Sequence, residues 1–214
     1  MPWDRRRRSL IDLLRREGAG DRVLQAMDRV PREQFMPENV RPDAYEDTPL
    51  YIGHNQTISA PSMVAAMCQL LDIPEGCKVL EIGTGMGYHA AVMAELAGPA
   101  GTVFTVERIP ELADQARTVL SKLGYDNVKV FLRDGTEGLP DFAPYDRISV
   151  AAAAPDIPKP LVEQLNDPGR LVIPVGRYFQ QLMLVEKRGG HVITTDKGGV
   201  AFVPLLGKYG FKGY

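Results

Sequence analysis

The chain has 214 residues, 44% of them hydrophobic and 24% charged, with a formal net charge of −2. That length and apolar content suffice for one sizeable core, and no shift in composition divides the chain, so a single domain is expected over residues 1–214. The slightly acidic balance argues against a protein that lives on the phosphate backbone of nucleic acid, and no nucleic-acid partner is expected.

Cys68 and Cys77 have neither zinc-ligand spacing nor a disulfide framework around them. They read as small core residues of a protein in a reducing cytoplasm. Arg5 to Arg8 precede an apolar stretch, but Asp12, Arg15 and Arg16 interrupt it. The stretch therefore reads as an amphipathic first helix, not a signal peptide. The longest apolar run, residues 148–154, is far too short to span a bilayer, so no membrane partner is expected. A monomer with no bound metal is the expectation.

Residues 3–17 place Trp3, Leu10, Ile11, Leu13 and Leu14 at helical spacing, and Gly18 and Gly20 end that helix. Asp21 is placed to cap a second helix with Val23, Leu24 and Met27 on one face. Pro31 opens a third short element anchored by Phe35. Residues 37–49, rich in Pro, Asp and Glu, read as an ordered loop. Residues 1–50 together are expected to form a helical cap on an α/β core of residues 51–214.

Residues 50–63, LYIGHNQTISAPSM, are dense in polar and small side chains and lead into a helix from about 61 to 71. Ser59 could simply cap that helix. The density of side-chain donors directly upstream of the next segment favours a binding loop.

That next segment, residues 78–94, reads KVLEIGTGMGYHAAVMA. It predicts a strand, a tight turn and a helix. Gly83, Gly85 and Gly87 alternate through the turn, where glycine permits positive φ and close approach of backbone to a ligand. The free N–H groups opening the following helix aim at the same spot. The turn is a candidate cradle for a nucleotide-type ligand.

Beyond it, strands and helices alternate. A strand at 102–106 ends in Glu107, a helix follows at 110–122, and a strand at 128–132 ends at Asp134-Gly135. A buried strand at 145–151, a short helix at 158–165 and a strand at 171–175 come next. Residues 181–186 and 191–195 predict a hairpin, and 201–205 a final strand. The pattern means a doubly wound, mainly parallel α/β sheet with an antiparallel hairpin at one edge. Ligands in such sheets bind beyond the carboxyl ends of the strands.

Glu81, Glu107 and Asp134 each fall at or just after a predicted strand end, so one crevice collects all three. They also discriminate between ligands. A dinucleotide brings pyrophosphate to a G-x-G-x-x-G turn, whereas the spacing here is G-x-G-x-G with Glu81 two residues ahead of it. A carboxylate there repels pyrophosphate and suits a cationic ligand. S-adenosylmethionine has no phosphate, an ammonium group and a sulfonium that carries the methyl. Glu107, about twenty residues past the last glycine, is placed to accept hydrogen bonds from both ribose hydroxyls. Asp134 is placed to accept from the adenine amine. The domain reads as a Rossmann-like class I methyltransferase, with a nicotinamide-dinucleotide enzyme as the second reading.

The acceptor is harder to read. The strand near residue 150 ends in Ala153-Ala154-Pro155-Asp156, without the Asn/Asp-Pro-Pro-aromatic run of base amino-methyltransferases. No nucleophilic cysteine lies near the crevice motifs. His89 falls on the cradle helix, His191 in the hairpin and only His54 in the polar loop. A carboxylate acceptor is already ionised at neutral pH and needs no base, which favours carboxyl O-methylation.

The chain resembles the protein-L-isoaspartate (D-aspartate) O-methyltransferases. The resemblance is carried by VPREQFMP (30–37), Asp47-Thr48-Pro49-Leu50, IGHNQTISAPSM (52–63), VLEIGTGMGYHAAVMAEL (79–96), VERIPELADQAR (106–117), Arg133-Asp134-Gly135, Tyr145-Asp146-Arg147-Ile148 and Phe202-Val203-Pro204-Leu205. The glycine motif alone would indicate only a class I methyltransferase; Q-T-I-S-A-P with the final F-V-P-L makes the match specific. The resemblance implies repair of damaged proteins: methylation of an isoaspartyl α-carboxylate by S-adenosylmethionine, then closure of the ester to a succinimide.

By matching position it implies Ser59 as the catalytic residue, holding the acceptor carboxylate. Thr57 and Ile58, with Val203 and Pro204, would flank the bound peptide. Gly53, His54 and Asn55 would contact or cover the cofactor. The full cofactor set is those three with Glu81, Gly83, Thr84, Gly85, Gly87, Glu107, Arg108, Asp134 and Gly135. One departure stands out: the family usually has His after S-A-P, and this chain has Ser62. Two other readings are a class I methyltransferase acting on a small molecule or RNA, and a catalytically inactive binding module of the same fold. The intact glycine and acid set argues against the latter.

Overall fold

The structure is a computed structural model and describes residues 2–213. Helices α1 (Pro2–Arg16) and α2 (Asp21–Arg29) open the chain, followed by single turns at Arg32–Phe35 and Arg41–Asp43. Their apolar faces are buried: Leu10 and Leu14 of α1, with Val23, Leu24 and Met27 of α2, join one hydrophobic cluster that continues into the main body. Asp21 does not cap α2. The cap position is Gly20, without a side-chain hydrogen bond, and Asp21 instead accepts from Arg15 Nε at 3.3 Å.

The polar stretch forms a small antiparallel hairpin, β1 (Leu50–Gly53) with β2 (Gln56–Ile58). His54 and Asn55 form its turn with φ of 53° and 56°. That left-handed pair suits the right-handed twist of a two-residue hairpin turn. No alternation of apolar residues announces strands so short. Helix α3 (Pro61–Leu71) follows, with Ala60 at its cap.

The main sheet is built from β3 (Lys78–Ile82), α4 (Tyr88–Ala97), β4 (Thr102–Glu107), α5 (Pro110–Lys122), β5 (Val128–Leu132), β6 (Tyr145–Val150), α6 (Lys159–Glu163), β7 (Leu165–Val175), β8 (Gln180–Arg188) and β9 (His191–Val200). Its seven strands lie in the order β5-β4-β3-β6-β7-β8-β9. Pairing is parallel from β5 through β7 and antiparallel for β8 and β9. This is the doubly wound sheet with an edge hairpin that the alternation predicts. The central strands are buried along nearly their whole length, as parallel strands covered on both faces are.

Strand order reverses between β3 and β6, and there the two chain directions diverge to leave a crevice at the carboxyl ends. Residues 201–205 do not form the expected strand. They make only an isolated bridge through Pro204 to Ala153, with Val203 O accepting from Ala153 N at 2.8 Å and Leu205 N donating to Ala153 O at 2.7 Å. That suffices to lay the segment along the mouth of the crevice. Among the described residues no helix is long and apolar enough to cross a membrane.

Candidate active site

The glycine turn leaves β3 at Gly83 and enters α4 at Gly87. Gly83, Gly85 and Gly87 all have positive φ, at 94°, 54° and 95°, a region costly for residues with a Cβ. Two of them also have close neighbours. A Cβ on Gly85 would stand 3.3 Å from Ile52 Cδ1 of β1, and one on Gly87 3.1 Å from Leu120 Cδ1 of α5. The hairpin therefore lies against the second glycine. The third serves the packing of α4 on α5 and does not line the cleft.

Glu107 ends β4, almost fully buried, and gathers the surrounding backbone. Its Oε2 accepts from Gly85 N at 2.9 Å, and its Oε1 from Arg108 N at 2.8 Å and Ile109 N at 3.0 Å. A carboxylate has about four acceptor positions, so one of them remains for a ligand hydroxyl. Glu107 and Arg108 both line the cleft.

Glu81 departs from expectation. It lies inside β3, fully buried, and does not line the cleft. Its Oε2 accepts from Thr105 Oγ1 at 2.5 Å, and Thr105 Oγ1 meets Thr84 Oγ1 at 2.6 Å. Its Oε1 has no hydrogen-bond partner and stands 3.7 Å from His89 Nδ1. Burial pushes the Glu81 carboxyl up to about 8, partly offset by the Thr105 hydrogen bond, and pushes His89 down to about 4. Desolvation thus outweighs attraction, and near neutral pH the two are an uncharged pair rather than a salt bridge. Glu81 sits beneath the cradle and reaches it through Thr105 and Thr84, which corrects the reading of Glu81 as a direct partner for a cationic ligand.

Asp134 is also elsewhere than expected. Its Oδ1 accepts from Thr136 N at 2.9 Å and Thr136 Oγ1 at 2.7 Å, and its Oδ2 from Lys208 N at 2.8 Å. Burial raises its pKa, but these hydrogen bonds outweigh burial and hold it below the ordinary carboxylate value. It ties the C-terminal segment to the turn after β5 and does not line the cleft; its neighbour Gly135 does.

The opposite wall comes from the β1–β2 hairpin and the segment after β9. Thr57, Ile58, Ser59, Val203 and Pro204 all line the cleft. Gly53, His54 and Asn55 do not: they form the hairpin tip, while Ile52 and Gln56 behind them face inward. Ser59 is half-buried, and its hydroxyl is not spent on capping α3. Asp47 supplies an acceptor there instead, taking Ser62 N at 2.8 Å, so the departing Ser62 is anchored through its backbone.

The Ser59 carbonyl is held by Arg32, whose Nη2 donates to it at 2.8 Å. Arg32 is itself completely buried. Its Nε donates to Ala44 O at 2.9 Å, and its guanidinium lies 4.6 Å from the centre of the Tyr88 ring. Cation–π contact of this kind is favourable where water is excluded.

The two walls enclose a cleft of about 910 Å³, its open mouth included. Eleven of the expected site residues meet there: Thr57, Ile58, Ser59, Gly83, Thr84, Gly85, Glu107, Arg108, Gly135, Val203 and Pro204. Residues not anticipated are Ile52, Gln56, Met86, Tyr88, His89, Ile109, Ala151 and Ala152, among others. Met86 and Ile109 carried a signal, since each adjoins an expected contact at a strand-end turn. Tyr88 and His89 carried none, because a helix's first turn gives no indication of which residue faces outward.

The donor set fits S-adenosylmethionine. An acid with a spare acceptor position adjoins apolar Ile82, Val106, Ile109 and Leu205, which suit a flat base, and the lining holds one cationic side chain, Arg108. The glycine turn gives backbone approach without the cluster of cations that phosphates attract.

The sequence pattern of the protein-L-isoaspartate(D-aspartate) O-methyltransferase family matches residues 5–210. A protein-L-isoaspartate O-methyltransferase of Methanocella arvoryzae is 86% identical over 188 residues, 88% of this chain and 100% of that one. One of Methanothrix thermoacetophila is 62% identical, covering 97% of this chain and 98% of the other. A solved protein-L-isoaspartate O-methyltransferase shares 31% identity at a TM-score of 0.87, covering 95% of this chain and 67% of that one. A Plasmodium falciparum structure of this type, in complex with S-adenosyl-L-homocysteine, shares 29% identity at a TM-score of 0.84, covering 92% and 97%. With this pattern across nearly its whole length and a cleft of matching chemistry, the chain belongs to the protein-L-isoaspartate (D-aspartate) O-methyltransferase family.

Proposed function

We propose that the two walls of the cleft divide the work of one reaction: methyl transfer from S-adenosylmethionine to the α-carboxylate of L-isoaspartyl and D-aspartyl residues in damaged proteins. Bound S-adenosylmethionine supplies an electrophilic methyl on a sulfonium. Gly83, Thr84 and Gly85 hold the methionyl part, and Glu107 accepts from the ribose. Ile109, Val106 and Gly135 flank the base. Thr57 and Ile58, with Val203 and Pro204, hold the acceptor backbone.

Ser59 donates its hydroxyl to one oxygen of the acceptor carboxylate and aims the other at the methyl carbon. The new C–O bond forms as the C–S bond breaks, giving the methyl ester and S-adenosylhomocysteine. An acceptor with a pKa near 4 is ionised at neutral pH, so the protein need not remove a proton. Its task is orientation, and a misplacement of about 1 Å costs on the order of a hundredfold in rate. The observation that carries this reading is Ser59: it lines the cleft with its carbonyl clamped by buried Arg32 and its hydroxyl free of any capping role.

The chain works as one domain, residues 1–50 forming a cap on a core of residues 51–214. It acts as a monomer in the cytoplasm, without nucleic acid. The two buried free cysteines support the cytoplasmic reading, and the acidic net charge supports the absence of nucleic acid.

Radiolabelled S-adenosylmethionine offered with paired isoaspartyl and aspartyl peptides is the direct test. Label is expected in the isoaspartyl peptide alone; label in neither sinks the reading. Ser59→Ala is expected to lower kcat about a hundredfold with unchanged cofactor affinity. Unchanged turnover would leave Ser59 as wall only.

A further inference from the structure

Tyr178 and Phe179 occupy the turn between β7 and β8 and are 87% and 93% exposed, more than any other large hydrophobic among the described residues. Two adjacent aromatics held in water are costly without a partner. Their turn is also firmly built. Gly176, at φ 125°, lets the backbone fold so tightly that a Cβ there would stand 2.1 Å from Phe179 O.

The turn is fastened to the acceptor wall. Gln180 Nε2 donates to Phe202 O at 3.0 Å, and Gln180 Oε1 accepts from Phe202 N at 2.6 Å. Gly176 N donates to Ala154 O at 2.9 Å. Residues Val203 and Pro204, directly after Phe202, line the cleft. Pro204 also belongs to a second, small recess shared with Arg177, Gln180 and Phe211. The Arg177 guanidinium spans from the Tyr178 ring, 5.9 Å away, to the Phe211 ring at 5.6 Å. The acceptor wall therefore continues past Pro204 to Arg177 and the exposed turn that carries Tyr178 and Phe179, and this edge forms a ledge beside the cleft.

We propose that this ledge is an extension of the acceptor site that binds apolar side chains flanking the isoaspartyl residue in an unfolded polypeptide. The inference rests on the reading of Val203 and Pro204 as the acceptor wall. An isoaspartyl residue inside a protein has chain on both sides, and one side leaving the cleft over Pro204 reaches Arg177 and the turn carrying Tyr178 and Phe179. Rigid aromatics give contact area at little entropic cost and without demanding one sequence, which suits an enzyme whose substrates share a lesion and not a motif. Apolar flanks are also what folded proteins hide, so the ledge favours damaged, opened chains.

The test is the double variant Tyr178→Ser/Phe179→Ser. Binding of two isoaspartyl peptides is measured in the presence of S-adenosylhomocysteine: a minimal tripeptide, and a longer peptide with leucine or phenylalanine on both flanks. Steady-state kinetics with both follow. The variant is expected to weaken the longer peptide about tenfold in Kd and KM, leaving kcat, the tripeptide's values and the melting temperature unchanged. Equal effects on both peptides, or none, overturn the proposal. So does a change in sedimentation with unchanged peptide affinity, which would make the ledge a contact between copies. Because Kd is read without turnover, failure of the Ser59 role leaves this result standing.

Discussion

The two walls of the cleft are built by different means. The donor wall consists of strand ends and the backbone of a glycine turn, and its N–H groups converge on one carboxylate, Glu107. The acceptor wall has no long strand. A hairpin of four and three residues and an irregular segment at 201–206, itself held to Ala153 by only two backbone hydrogen bonds, lean on single side chains: Arg32 on the Ser59 carbonyl, Asp47 on Ser62 N, Gln180 on Phe202. A wall tied by backbone spreads its support over many bonds. A wall tied by side chains concentrates it, so single substitutions should damage the acceptor wall more.

Arg32 gives the largest expected contrast. Arg32→Leu removes the donors to Ala44 O and Ser59 O and the cation from the Tyr88 ring. Hydrogen bonds to a charged group contribute about 1.5–3 kcal/mol each, so the loss is about 3–6 kcal/mol by denaturant unfolding. Arg32→Lys keeps the charge without the fork and should fall between the variant and the wild type. At temperatures where it stays folded, its kcat should fall while cofactor affinity holds. Wild-type stability in Arg32→Leu would show that this wall does not hang on one guanidinium.

The same contrast governs what the residues announce in advance. The donor wall is legible from sequence because its parts are periodic. Buried strands end just past Glu81, in Glu107 and near Asp134, and the glycines alternate between the first two acids. Even there the pattern gives position and not direction: Glu81 and Asp134 lie at the right strand ends, yet the first is buried beneath the turn and the second is bound to Thr136 and Lys208. Whether an acid faces the ligand or the fold is decided by neighbours distant in sequence, such as Thr105 and Lys208. The acceptor wall has no period to read. The roles of Thr57, Ile58, Ser59, Val203 and Pro204 are legible only through resemblance, and no pattern announces the hairpin that leads into the first three. The 201–205 segment has strand-like composition, but only its bridge to Ala153 is realised.

A substitution in the donor wall sharpens the comparison from the other side. Glu107→Ala removes the proposed ribose acceptor and the shared acceptor of three backbone amides. The expected loss of S-adenosylmethionine affinity is about a hundredfold, near 2.7 kcal/mol, by titration calorimetry. Stability should fall less than in Arg32→Leu, because strand pairing still holds the turn. Unchanged affinity would remove Glu107 from the cofactor site.

The smallest effect lies beneath the donor wall and depends on pH. Glu81 is held at about 8 against an ordinary 4.5, so between those values the native state keeps a proton that the unfolded chain has lost. Stability from this group is full below about 4.5 and declines as pH rises through 8. His89 is held at about 4 against 6.5, so its contribution is full above 6.5 and is lost as pH falls toward 4. The two trends oppose each other at acidic pH, and between 6.5 and 8 Glu81 acts alone. One pH unit in that window corresponds to about 1.4 kcal/mol, so the wild type should lose up to about 2 kcal/mol across it. Glu81→Gln keeps the shape and a partner for Thr105 but cannot ionise, and its unfolding midpoint should be flat from pH 6.5 to 8. An equal decline in both proteins would place the titrating group elsewhere and make the Glu81–Thr105–Thr84 chain a passive support of the cradle.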